Sequence, residues 1–195
     1  PDDLNIGWVM SKAFIQRLRA GDANAHARFQ KIMYIRALTG KGYIFKVDHV
    51  NDQNPPMYAA HGLKVKASNL CVEIALHSDE NHTFTCVLSS MNLAKYDKWK
   101  NTDAIFVATV FLDCVASEFI QYSKNIPGME NAIRFTEKSR ALGLGALGFH
   151  TYLQQNMIPF ESFEAHMVNN EIFSYMKKEA VRASKWMAVE WGEPE

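Results

Sequence analysis

One short segment, Ser68-Asn69-Leu70-Cys71-Val72-Glu73-Ile74-Ala75-Leu76, places an amide, a thiol and a carboxylate at every second position. An extended chain sends alternate side chains to opposite faces, so Asn69, Cys71 and Glu73 are expected on one face and Leu70, Val72 and Ile74 on the other. That row suits holding a polar substrate beside a sulfur atom. An amphipathic strand with a buried cysteine fits the same pattern. The other two cysteines are Cys86 and Cys114, and three is too few and too odd a number for a secreted disulfide framework. None forms the close pairs of a zinc knuckle, so free or catalytic thiols in a reducing compartment are expected. Cys114 lies in an apolar helical stretch beside Asp113 and reads as an ordinary buried cysteine, with a redox partner for Cys86 as the alternative.

Other motifs carry less. Gly143-Leu-Gly145-Ala-Leu-Gly148 matches a dinucleotide fingerprint formally, but Glu137-Lys-Ser-Arg140 before it is no buried strand, so tight packing is expected. Thr39-Gly40-Lys41-Gly42 lacks the earlier glycine and the following Ser or Thr of a phosphate loop, and turn chemistry accounts for it. The histidines, including His49, His77, His82 and His150, show no metal-ligand spacing; surface or hydrogen-bonded roles and no metal are expected.

The elements that must position these residues follow from pattern. A first helix is expected from Trp8 to Ala20, stopped by Gly21, and a second to Leu38, capped by Asp22 or Asn24, with Phe29, Ile32, Met33 and Ala37 on its buried face. Tyr43 to Val47 reads as a strand, followed by a polar loop through Asn54-Pro55-Pro56. Two extended segments, 69–77 and 83–90, flank the turn-rich Ser78 to His82 and could pair. From Thr102 to Lys124 the chain is apolar nearly all round, with Thr109, Asp113, Ser117 and Gln121 as a narrow polar stripe, so this helix is expected to be buried on most sides. A small-residue strand or turn at 141–148 leads into a helix through Tyr152. The last helix is expected from Phe163 to Trp191, with Phe173, Met176, Ala180, Ala183, Met187 and Trp191 in helical spacing.

The 195 residues are 48% hydrophobic and fit one domain or part of one. Acidic and basic side chains number 21 each, so no basic field points to nucleic acid or to a membrane surface. No apolar run reads as approaching the ~20 residues of a bilayer span, and no signal-peptide pattern opens the chain. A start at Pro1 and a stop in Trp191-Gly192-Glu193-Pro194-Glu195 read as a segment of something longer.

Ser68-Asn-Leu-Cys-Val-Glu-Ile74 closely resembles the active-site finger loop of ribonucleotide reductase large subunits. Thr39-Gly-Lys-Gly-Tyr-Ile-Phe-Lys-Val-Asp-His-Val-Asn51 resembles that family's preceding strand, Cys86-Val-Leu-Ser-Ser-Met-Asn-Leu93 its redox-cysteine segment, and Arg140-Ala-Leu-Gly-Leu-Gly145 a later barrel strand. His77-Ser-Asp-Glu-Asn-His82 and Phe149-His-Thr-Tyr152 are similar to versions from tailed bacteriophages. The resemblance implies an α/β fold: part of a ten-stranded barrel with a central finger loop, incomplete in this chain, with residues 1–195 a fragment of one catalytic domain. It implies a class I ribonucleoside-diphosphate reductase in which Cys71 carries a thiyl radical, Glu73 is the general base, and Ser68 and Asn69 bind the substrate sugar. Cys86 would be one of two reducing thiols, with a partner upstream of this chain. No cofactor is expected on this chain, because a metal-containing small subunit would supply the radical. The other implied partners are a ribonucleoside diphosphate, the remaining parts of a homodimeric large subunit and a thioredoxin- or glutaredoxin-type reductant, in the cytoplasm of the cell or of a phage's host. A class II, adenosylcobalamin-dependent reductase shares the loop. A non-catalytic structural fragment is the remaining alternative.

Overall fold

The computed structural model describes residues 6–194 and divides into two compact units, Pro1–Phe84 and Thr85–Glu195. In the first, strand β1 (Gly7–Val9) runs parallel to β2 (Tyr43–Phe45) with Trp8 opposite Ile44, and helices α1 (Lys12–Arg19) and α2 (Ala23–Thr39) form the crossover between them. Ser11 starts α1 by accepting a hydrogen bond from the Phe14 N–H, and Asp22 starts α2 by accepting one from the Ala25 N–H. Gly40, at φ 64°, closes α2 in the left-handed conformation that a Cβ disfavours.

Three expectations change here. Trp8 lies in β1 rather than in the first helix, because an aromatic and a β-branched residue find a ladder partner in Ile44 and Phe45 and the cap comes only at Ser11. The polar stretch after Phe45 folds as two short helices, α3 (Val47–Asp52) and α4 (Pro56–Ala60). Pro56 starts α4 instead of breaking structure, since the first helical turn has no use for its missing N–H. On α2, Ala25 and Ile32 are buried, whereas Met33 is exposed. Phe45, Tyr58 and Val65 form the small apolar core of this unit.

In the second unit, β3 (Leu88–Asn92) pairs in parallel with β4 (Gly143–Leu147), with Leu88 opposite Gly143. A 3-10 turn (Leu93–Lys95) and α5 (Tyr96–Trp99) lead to α6 (Ala104–Ser123), which is followed by α7 (Glu130–Ser139); β4 continues into α8 (Phe149–Gln155) and then α9 (Phe163–Trp191). Leu93, Tyr96, Ile105, Ile172 and Met176 make one core cluster, and Val87, Leu112 and Ala116 a second. Gly148 joins β4 to α8 at φ 79°, where a Cβ would meet the Asn92 carboxamide oxygen at 3.0 Å.

Helix α6 corrects another expectation. The first half of its polar stripe faces inward, with Thr109 and Asp113 buried, while Ser117 and Gln121 are exposed; Arg140, left-handed at φ 43°, donates to Asp113 Oδ1 at 2.9 Å and to Ser117 Oγ at 2.7 Å. The opposite face, with Val107, Phe111, Val115 and Tyr122, is exposed among the described residues, and so is Cys114, which was expected in the core. The 20 residues of α6 are also long and apolar enough by composition to cross a membrane, contrary to the sequence reading. Its packing against α7 and α9 and its stripe filled by Arg140 are those of a helix seated on protein. On α9, Ala165, Ile172, Met176, Ala183 and Met187 are buried, while Phe173 and Trp191 are exposed.

Candidate active site

Residues 69–77 form no strand, and β3 pairs with β4 rather than with them. The chain instead makes a tight turn closed by the Val72 N–H donating to Asn69 O at 3.2 Å. Val72 takes φ 67°, a left-handed conformation rare for a β-branched side chain. The turn forms because Asn69 supplies from its side chain what a ladder neighbour would supply: Oδ1 accepts from the Ile74 N–H at 3.2 Å, and Nδ2 donates to Glu73 Oε1 at 2.8 Å. The expected common face of Asn69, Cys71 and Glu73 is thus replaced by an amide–carboxylate clasp spanning Cys71. Cys71 and Glu73 are exposed and Asn69 is half-buried.

The base of the turn is fixed from several sides. Ser68 Oγ donates to Ile74 O at 2.7 Å, and the Tyr43 hydroxyl, from β2, donates to Ser68 O at 3.0 Å. Asn51, on α3, grips both polar groups of Val65: its Oδ1 accepts from Val65 N at 2.9 Å and its Nδ2 donates to Val65 O at 2.8 Å. Tyr58, on α4, accepts from the His77 N–H at 3.1 Å. Buried Val65 and Ile74 anchor the two limbs. Tyr43, Asn51 and Tyr58 escaped the sequence reading, since no local spacing marks contacts 14 to 25 residues away.

Just beyond, Asp79 draws two histidines together. Its Oδ2 lies 3.0 Å from His77 Nε2 and its Oδ1 lies 2.8 Å from His82 Nδ1. The Asn81 backbone N–H, followed by the His82 and His77 side chains, holds the Asp79 carboxyl well below the usual carboxylate range. In the second unit, Cys86 is exposed and stands immediately before buried Val87.

An exposed thiol flanked by an amide and the carboxylate that the amide orients can exchange hydrogen and protons with a polar substrate laid over the turn. Residues 10–195 match the family described as ribonucleotide reductase, barrel domain. The chain belongs to that family. It is 36% identical over 157 residues to the ribonucleoside-diphosphate reductase large subunit of Invertebrate iridescent virus 3, covering 80% of this chain and 25% of that protein. It is 30% identical over 172 residues to the subunit alpha of Haemophilus influenzae, covering 84% and 22%. Among solved structures it superposes on the Actinobacillus ureae class Id ribonucleotide reductase alpha subunit with a TM-score of 0.88 and 42% identity, covering 98% of this chain and 37% of that one. The chain therefore spans 22% to 37% of the length of these relatives, and its mixed helix and sheet are part of an incomplete barrel. These relatives are viral and bacterial, and they favour class I over the cobalamin-dependent alternative.

Proposed function

We propose that the chain is the catalytic-core segment of a class I ribonucleoside-diphosphate reductase large subunit, part of one barrel domain that reduces ribonucleotides to 2′-deoxyribonucleotides. The observation that carries this reading is the clasp of Asn69 on Glu73 around Cys71, in a chain of this family. A thiyl radical on Cys71 removes the 3′ hydrogen of the ribose, forming S–H and leaving a carbon radical. Glu73 takes the 3′-hydroxyl proton and later returns it, and the 2′-hydroxyl takes a proton from one of the two reducing thiols and leaves as water. Cys86 and a second thiol outside this chain supply two electrons and become a disulfide, and Cys71 then returns hydrogen to the 3′ carbon. Sulfur suits the task because its S–H bond is weak enough to be made and broken by radicals. Ser68 and Asn69 position the sugar.

The radical originates in a metal-containing small subunit, the disulfide is reduced by a thioredoxin- or glutaredoxin-type protein, and the complete large subunit is a cytoplasmic homodimer. In an assembled enzyme, Cys71→Ser abolishes nucleotide reduction while leaving nucleotide binding intact, because serine is close in shape but forms no comparable radical. Activity above a few per cent of wild type overturns the assignment. Glu73→Gln keeps the bond to Asn69 but takes no proton, so a severe, incomplete loss is expected; an unchanged rate would make Glu73 structural.

A further inference from the structure

We propose that His77, Asp79 and His82 form a binding site for a divalent first-row transition metal of the zinc class, in the turn that separates the Cys71 segment from Cys86 along the chain. Two imidazole nitrogens and a carboxylate oxygen make a ligand set such ions prefer over magnesium or calcium. Their ligand atoms all lie within 4.8 Å of one another. A metal held at ~2.0–2.2 Å by each fits between them after small side-chain rotations.

The backbone arranges this convergence in advance. The Asp79 N–H donates to His82 O at 3.0 Å, closing the turn, while the Asn81 and His82 N–H groups both donate to Asp79 Oδ1 at 2.8 Å. His77 is held by its own N–H to the Tyr58 hydroxyl. Outside the cluster, His77 Nδ1 lies 2.9 Å from the backbone oxygen of Lys64. Donation of Nδ1–H to a carbonyl is the support that metal-bound histidines receive, because it fixes the tautomer and leaves the Nε2 lone pair for the metal. Without metal, a proton on Nε2 bridges the 3.0 Å to the Asp79 carboxylate, and a metal ion would displace that proton and take its place between the two atoms. The competing state has Lys64 N donating to Nδ1 and a proton on Nε2. The His77 and His82 side chains are 13% and 21% exposed, so an ion reaches them from solvent and a further coordination position stays open to water.

The test titrates the full chain with Co2+ and, by calorimetry, with Zn2+, after alkylating Cys71, Cys86 and Cys114, which are exposed and would themselves take metal. Binding of one ion is expected, with cobalt absorption typical of nitrogen and oxygen ligands and no sulfur charge-transfer band. His77→Ala and His82→Ala should each weaken it at least ~10-fold, with circular dichroism unchanged. Asp79→Asn retains an acceptor for the turn N–H groups and should also weaken binding, which separates ligation from folding. Absence of binding in the alkylated chain, or equal affinity in the three variants, overturns the proposal.

Discussion

The two units differ in what stabilises the interior of each. The second rests on apolar contacts, with Ile105 and Ile172 fully buried between α6 and α9, and on one inward ion pair, Arg140 with Asp113. The turn-bearing part of the first has few buried apolar anchors in residues 61–82, and side-chain clamps on backbone groups take their place: Asn51 on Val65, Tyr43 on Ser68, Asn69 on Ile74 and Tyr58 on His77. Apolar packing tolerates lateral adjustment, whereas a hydrogen bond fixes an atom to a few tenths of an ångström. The side chains proposed to react thus stand where position is set by direction rather than by bulk.

The largest effect that would sharpen this contrast comes from Asp113→Ala. It leaves the Arg140 guanidinium without its carboxylate against a buried helix face and should destabilise the second unit by ~3–5 kcal/mol in denaturant unfolding. The double change Asp113→Leu, Arg140→Met should recover most of that loss; a mild single variant would show that the pair adds little. Next in size is Asn51→Ala, which orphans the N–H and carbonyl of Val65, a residue only 1% exposed, at a cost of ~1–3 kcal/mol. Hydrogen exchange should accelerate across 63–77 and stay unchanged in α6 and α9. Uniform acceleration would erase the distinction between the two regions.

The smallest expected effect is a pH limb confined to the second unit. Burial, and then the Glu171 carboxylate that accepts its hydrogen bond, push the Tyr96 hydroxyl up to about 12. Because the folded value is raised above the unfolded one of ~10, this contribution is complete below pH ~10 and is lost as pH rises towards the folded value. Exchange around α5 and α9 should therefore rise with alkali in that window, in step with tyrosinate absorbance. Tyr96→Phe should remove the tyrosinate-linked limb.

Local signals made much of the fold legible. Asp22 and Gly40 mark helix ends through groups within one turn, and the structure follows them; the long period of 163–191 marks its helix and the burial of Met176, Ala183 and Met187, but not the exposure of Phe173 and Trp191. The Asn69-Cys71-Glu73 constellation was legible as residue types but not as geometry. Strict alternation describes a strand equally well as a turn whose first residue caps it, and only the Asn69 side-chain bonds to Ile74 and Glu73 distinguish the two. The outward face of α6 misled for a related reason: apolar composition says that a surface is to be covered, not that neighbours within these residues cover it. His77 and His82 meet only because Asp79 folds the chain between them, which no ligand spacing displays.

Val72 takes the left-handed conformation between Cys71 and Glu73, where a β-branched side chain costs ~1–3 kcal/mol. The energy is retained because Asn69 ties both ends of the turn, so the tip behaves like a compressed spring with its ends pinned. Such a spring has a steep well. A glycine there would lie in a shallow one, comfortable in many shapes, and the spacing of thiol and carboxylate would become a broad distribution. The penalty carried by Val72 is therefore a form of stored order, which trades thermodynamic comfort for a narrow choice of conformations at the tip that bears Cys71 and Glu73.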